Sequence, residues 1–222
     1  LLVRDWRLWR IARRFDPEVL VAETGVSIGA VGAVLGVPRL VFEEAEHAWL
    51  QRAIGLPFAT RVATGIGYRG QHGSRQVRFR GPRMLAYLHP RLFRAEPGPL
   101  RDAGLAPEQG LIVLRLLSWT AAHDLDHSPL TEQAALAAVE RLSRLGRVVI
   151  SAEYELPASL RPWANPVPPL EVHHLLGQAR LFIGEGGTMP MEAATLGTPA
   201  IYFHTQSVGY LDEMQRRFGL VR

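Results

Sequence analysis

Between Ala179 and Phe203 the chain reads ARLFIGEGGTMPMEAATLGTPAIYF. An apolar run, Leu181-Phe182-Ile183, opens onto Gly184-Glu185-Gly186-Gly187-Thr188, followed by Pro190 and a carboxylate at Glu192. Glycines let a backbone turn sharply and let a ligand approach where a Cβ would otherwise stand. The spacing predicts a helix just after them. The main-chain N–H groups of Gly186, Gly187 and Thr188 then fall at its start, where unbonded donors and the positive end of the helix dipole favour an anion. Pro190 suits a first helical turn, which needs no N–H from it. Glu192 stands four residues past Thr188, so the two side chains project from one face. A carboxylate there would repel a phosphate set directly on it. It could instead reach past a diphosphate and accept two hydrogen bonds from a sugar diol. The plainer reading is that Glu192 complements the helix dipole and the glycines only make a tight turn, and spacing alone leaves both open.

Proton transfer to and from a sugar calls for carboxylates and histidines, and these cluster at predicted strand ends. They are Glu23, then Glu43, Glu44, Glu46 and His47, then His123, Asp124, Asp126 and His127, then Glu153 and Glu155. Burial and like-charge neighbours can raise a carboxyl pKa toward neutrality, which suits general acid–base work. His123 and His127 in HDLDH are spaced for one helical face, as metal ligands would be, but the loop reads as a plain cap and no metal is expected. GIGYRGQHGSRQ matches G-x-G-x-x-G at Gly65, Gly67 and Gly70. A dinucleotide fingerprint opens an apolar helix, whereas a polar stretch follows here, so these glycines are expected to serve a mobile loop.

The elements that position these residues alternate. LLVRDWRLWRIARRF places Leu2, Trp6, Trp9 and Ile11 at helical spacing among five arginines, an amphipathic helix expected to pack on a sheet, with an anionic membrane surface as the alternative. Strands are expected at Asp16–Glu23, Pro38–Glu44 and Thr60–Thr64, with a small-residue helix at Val26–Gly36. Arg94–Gly110, rich in Pro and Gly, reads as a connector between domains 1–93 and 111–222. Beyond it come strand Leu111–Ser118, helix Leu130–Leu145, strand Arg147–Glu153, a short helix Glu171–Gln178 and strand TPAIYF. Such alternation is the sign of parallel βαβ units. The first lobe has only about three strands where a nucleotide-binding lobe has five or six, so its front portion is expected to be missing.

Composition narrows the classes. The chain has 222 residues, 47% hydrophobic and 21% charged, enough for a substantial core. It has no cysteine, which removes disulfides and thiolate chemistry and fits a reducing, cytoplasmic setting. The apolar stretch Thr24–Pro38 is 15 residues long and broken by glycines, too short to span a bilayer. All 25 basic residues are arginine, and the formal net charge is +4. Residues 1–101 carry 16 Arg against 8 acids, and residues 102–222 carry 9 against 13. The basic half has no dense run interleaved with aromatics and no nucleic-acid motif, so nucleic acid is not an expected partner. It reads as a solvated face, with attraction to an anionic surface or substrate as the sharper alternative.

GEGGTMPMEAATLGTPAI resembles the carboxy-lobe motif of the GT-B superfamily, which includes UDP-N-acetylglucosamine 2-epimerases and nucleotide-sugar glycosyltransferases. The whole chain is still more similar to a family of unknown function allied to that superfamily. The residues that carry this are FEEAEHA (Phe42–Ala48), LAYLHPRLF (Leu85–Phe93), RLLSWTAAHDLDH (Arg115–His127), SAEYELP (Ser151–Pro157) and the glycine turn. The resemblance implies an α/β protein of two Rossmann-like lobes, with the amino-terminal lobe truncated ahead of Leu1. It implies that Gly186, Gly187 and Thr188 hold a pyrophosphate and Glu192 a ribose, with Arg115 and Ser118 beside them. Pro169 and Leu170, in PVPPL, fall where the superfamily clamps the base with backbone groups. Glu23 and Glu43 would match the acids of the 2-epimerases, Glu46 or His47 would deprotonate an acceptor, and His123 and Asp124 are further catalytic candidates. The function implied is UDP-sugar binding and glycosyl transfer in glycan or glycolipid synthesis, with the nucleotide sugar as substrate and no cofactor. The alternatives are a UDP-N-acetylglucosamine 2-epimerase and a non-catalytic nucleotide-binding or membrane-peripheral protein. The partners implied are a nucleotide sugar and either a glycan acceptor or an anionic membrane surface.

Overall fold

In a computed structural model, described for residues 2–44, 46, 48–118, 130–203 and 207–222, the chain forms two compact units. The first comprises residues 1–82 with 208–210, the second residues 83–207 with 211–222. The division falls at Pro82, ahead of the expected connector at 94–110, and that segment lies in the second unit.

The first unit runs α1 (Leu2–Phe15), β1 (Leu20–Glu23), α2 (Val26–Leu35), β2 (Arg39–Glu43), α3 (Trp49–Gly55), β3 (Arg61–Thr64) and β4 (Gln76–Arg78). Its four strands are parallel, in the order β1-β2-β3-β4. Val41 and Val62 are completely buried at its centre and pack with Ile28, Leu56 and Ala59. Central parallel strands are covered on both faces, which is why they read as runs of aliphatic residues. In α1 only Ala12 is buried; Trp6, Ile11 and Phe15 stay exposed, with Arg10 over the Trp6 ring and Arg13 over the Trp9 ring.

The fourth strand corrects the expectation of three. β4 has three residues, too few for a hydrophobic period to register, and side-chain bonds fix it in place. The Arg78 guanidinium donates to the carbonyls of Tyr68 and Gly70, and Gln76 Nε2 donates to Thr64 Oγ1 at 2.9 Å. His72 N donates to Gln76 Oε1, and one Arg75 nitrogen donates to the carbonyls of Leu56, Pro57 and Ala59. The segment expected to be a mobile loop is therefore stapled to the sheet by polar side chains that hydrophobic patterning does not weigh.

The second unit runs α4 (Leu85–Leu88), α5 (Gly98–Asp102), β5 (Ile112–Leu116), α6 (Glu132–Leu142), β6 (Val148–Ala152), α7 (Val172–Gln178), β7 (Leu181–Gly184), α8 (Thr188–Thr195), β8 (Ala200–Tyr202) and α9 (Gly209–Phe218), whose first two residues belong to the first unit. Its strands are again all parallel, in the order β6-β5-β7-β8. Leu114, Leu116, Val139, Val148, Ile150 and Leu160 fill the space between β5, β6 and α6. Each such aliphatic side chain contributes roughly 1.5–3 kcal/mol on burial. Thr131 caps α6, its Oγ1 accepting from Ala134 N at 3.2 Å. From β5 the chain crosses to β6 on one side, then returns past β5 to β7 on the other. The carboxyl ends of β5 and β7 thus flank a topological switch point, where open α/β sheets leave a crevice.

Among the described residues, no helix is long and apolar enough to cross a membrane.

Candidate functional site

The glycine turn lies at that switch point. β7 ends at Gly184, which pairs with Arg115 of β5. A Cβ on Gly184 would stand 2.8 Å from the Phe182 ring and 2.9 Å from Arg115 Cβ, so packing requires glycine there. Glu185 follows, buried, and its Oε2 accepts from Leu117 N at 3.3 Å, tying the ends of β5 and β7 together. α8 begins at Thr188 with Gly187 as a cap that offers no side chain. Among the described residues, no protein acceptor takes the N–H groups of Gly186, Gly187 or Thr188. Three main-chain donors at a helix start form a cradle for negative charge.

Glu192 sits one turn into α8, 8% exposed. Its Oε1 accepts from the Tyr87 hydroxyl at 2.7 Å and lies 3.3 Å from His173 Nε2. The His173 ring stands 5.5 Å from the Tyr87 ring and 6.0 Å from that of Phe93. His174 turns away: its Nδ1 accepts from Glu96 N at 2.9 Å, which leaves the ring hydrogen on Nε2, 3.4 Å from Glu171. The two adjacent histidines thus have separate roles, and only His173 reaches the candidate site.

A pocket of about 640 Å³ opens among the ends of β5 and β6, the loop that follows β6, and the first turns of α7 and α8. Arg115, Ser151, Tyr154, Asn165, Pro169 and Met189 are in its wall. Arg115 is directed along the sheet edge toward β6, donating to Ser151 Oγ at 2.8 Å and Glu153 Oε1 at 2.8 Å. Its charge is therefore shared with a carboxylate, leaving less for a phosphate than a free guanidinium would offer. Ser118 approaches the same Glu153 through N and Oγ, at 3.4 and 3.3 Å. Burial and the Glu185 charge push the Tyr154 hydroxyl above the ordinary tyrosine pKa. Pro169 lines the pocket, whereas Leu170 is 92% exposed and is not part of the wall.

The first-unit candidates are dispersed in environment. Glu23 is exposed at the end of β1, Glu43 is fully buried at the end of β2, and Glu44 is 8% exposed. Glu46 accepts two main-chain N–H groups, from Arg69 at Oε1 and from Gly209 at Oε2. His47, His123 and Asp124 lie outside the described residues. Two side chains that sequence reading passed over stand near Glu43 and Glu46. The Tyr68 hydroxyl is pushed up to about 12 by burial and by the Glu43 charge, and it lies 2.9 Å from His72 Nε2. Burial and the charges of Arg52, Arg75 and Arg78 hold His72 below the usual histidine pKa. Tyr87, His173 and Glu185 were likewise missed as site residues. Glu185 lies inside the glycine motif, but no spacing joins Tyr87 to a carboxylate 105 positions away.

Two parallel four-stranded sheets, each flanked by crossover helices, define a protein of GT-B-like architecture with two Rossmann-like lobes. The chain belongs to the family described as protein of unknown function (DUF354), whose model matches residues 3–215. It is 24% identical over 217 residues to the uncharacterized protein MJ0665 of Methanocaldococcus jannaschii, covering 93% of this chain and 63% of that protein. The chain therefore spans less than two thirds of the length of the curated relative it matches. Among solved structures it resembles the UDP-GlcNAc 2-epimerase of M. jannaschii, at TM-score 0.65 and 13% identity over 98% of this chain and 69% of that one. The same enzyme in complex with UDP-GlcNAc and UDP matches at TM-score 0.61 and 14% identity, over 98% of this chain and 67% of that one. The glycotransferase of kitacinnamycin matches at TM-score 0.57 and 15% identity, over 99% and 66%. At these identities the likeness is one of fold.

Proposed function

We propose that the second unit binds a nucleoside diphosphate sugar, with UDP as the nucleotide, and that the protein transfers the glycosyl group to an acceptor in glycan or glycolipid synthesis. The observation that carries this reading is the coincidence of three main-chain donors at Gly186–Thr188, unclaimed among the described residues, with a carboxylate one helical turn further on. The donors and the dipole of α8 would take the charge of the departing diphosphate, in place of a metal ion. Glu192 would accept hydrogen bonds from the ribose hydroxyls, and the pocket that holds Tyr154 and Pro169 would take the base. The likeness to an epimerase solved with UDP-GlcNAc and UDP supports the ligand class. Deprotonation of the acceptor needs a free carboxylate or imidazole. Both oxygens of Glu46 are already used by main-chain donors, which counts against it in that role.

Calorimetric titration with a panel of nucleoside diphosphates tests the binding step. UDP is expected to bind best, and Glu192→Ala to weaken it by roughly 1–3 kcal/mol, the cost of leaving polar partners unpaired. Unchanged affinity in the variant would remove the ribose assignment.

A second reading, 2-epimerisation by elimination and re-addition of the diphosphate, is favoured by Glu23 and Glu43. These are two carboxylates on neighbouring parallel strands, at their carboxyl ends. Incubation with UDP-N-acetylglucosamine and no acceptor separates the two, since only an epimerase yields the C2 epimer.

A further inference from the structure

Three helices of the second unit meet on one carboxylate oxygen: Tyr87 from α4, His173 from α7 and Glu192 from α8. The Tyr87 hydroxyl donates to Oε1 at 2.7 Å, and His173 Nε2 lies 3.3 Å from the same oxygen. Oε2 has no protein hydrogen bond among the described residues. Phe93 and Tyr87 flank the His173 ring and fix its position. We propose that Tyr87 and His173 are positioning residues that hold Oε1 of Glu192 so that Oε2 alone reads the hydroxyls of the ligand's ribose. This rests on the nucleotide reading given above and adds to it which oxygen acts and what orients it.

The physical gain is preorganisation. A glutamate side chain free to rotate loses conformational entropy when a ligand immobilises it, about 0.5–1.5 kcal/mol for a rotamer-rich side chain. Here Glu192 is immobilised before the ligand arrives. The Tyr87 hydroxyl also keeps a buried carboxylate hydrogen-bonded when the site is empty.

The test measures affinity of the full chain for UDP and for 2′,3′-dideoxy-UDP, which lacks both hydroxyls. Tyr87→Phe removes one donor with little change in shape. It should weaken UDP about 5- to 20-fold and leave the dideoxy ligand unchanged. His173→Gln removes the other contact from a different helix and should act in the same direction, so it serves where Tyr87→Phe does not fold. In a Glu192→Ala background, Tyr87→Phe should have no further effect on UDP. Equal weakening of both ligands would show that the two residues only support the scaffold, and an unchanged UDP affinity in both variants would overturn positioning. If Glu192→Ala alone leaves UDP unchanged, the ribose reading itself has failed. If Glu192→Ala weakens UDP while the tyrosine and histidine variants do not, only the positioning role has.

Discussion

A general base must offer a lone pair to the hydroxyl it deprotonates, and Glu46 illustrates how residue type misleads on this point. Its two oxygens accept main-chain hydrogen bonds from Arg69 and Gly209, which makes it an anchor for the loop that follows β3 and for the first residue of α9. Near it, His72 accepts from or donates to Tyr68 while Arg52, Arg75 and Arg78 raise the cost of protonating it. The folded-state pKa of His72 lies below 6.5, so above that pH both folded and unfolded forms are neutral and His72 has no effect on stability. Below it the unfolded chain binds the proton that the folded chain resists. Stability should therefore fall as the pH drops from 6.5, and His72→Gln should flatten that slope, as read from denaturant midpoints across the acid range. At the other extreme, the raised Tyr68 pKa means that stability is lost as the pH rises from 10 toward about 12.

At the scale of elements, the cradle depends on how closely β5 and β7 approach. Gly184 stands opposite Arg115, with the Phe182 ring and Arg115 Cβ within 3 Å of where a side chain would begin. Gly184→Ala should cost roughly 1–3 kcal/mol of stability by overpacking, measured by chemical unfolding. It should also weaken UDP, because any shift of β7 moves the start of α8. Gly197, which has an open surrounding and a φ of +90°, supplies a contrast. Gly197→Ala should lower stability through backbone strain and leave UDP affinity untouched. In unit one, hydrophobic period revealed β1, β2 and β3 because each carries adjacent aliphatic residues, Leu20-Val21-Ala22, Leu40-Val41 and Val62-Ala63. It missed β4, whose Val77 stands half exposed between Gln76 and Arg78 and is placed by polar side chains.

On the scale of the whole molecule, the charge imbalance between the halves does not identify the ligand. The arginine-rich half carries an exposed helix, α1, whereas the cradle lies in the half with an excess of acids. Anion binding there, as proposed, would come from oriented main-chain dipoles rather than net charge, a local effect that composition does not register. Hydrogen exchange should therefore slow on UDP addition in residues 111–118 and 181–195 and stay unchanged in residues 20–43. Slowing confined to residues 20–43 would place the nucleotide on the first unit instead.

What the sequence determined by itself was whatever depends on neighbours in the chain. It gave the βαβ alternation, the glycine turn, the helix start after it and the carboxylate one turn further, because strand runs, caps and i to i+4 spacing are local. The tertiary structure decided which side chains meet. Tyr87 and Glu192 lie 105 positions apart, and Glu46 and Gly209 163 apart. Arg115 turns to β6 because its sheet neighbours on that side, Ser151 and then Glu153, offer oxygens, while Gly184 on the other side offers no side chain. Crossover connections set strand order and helix packing, and these bring distant residues together at a distance no local pattern encodes.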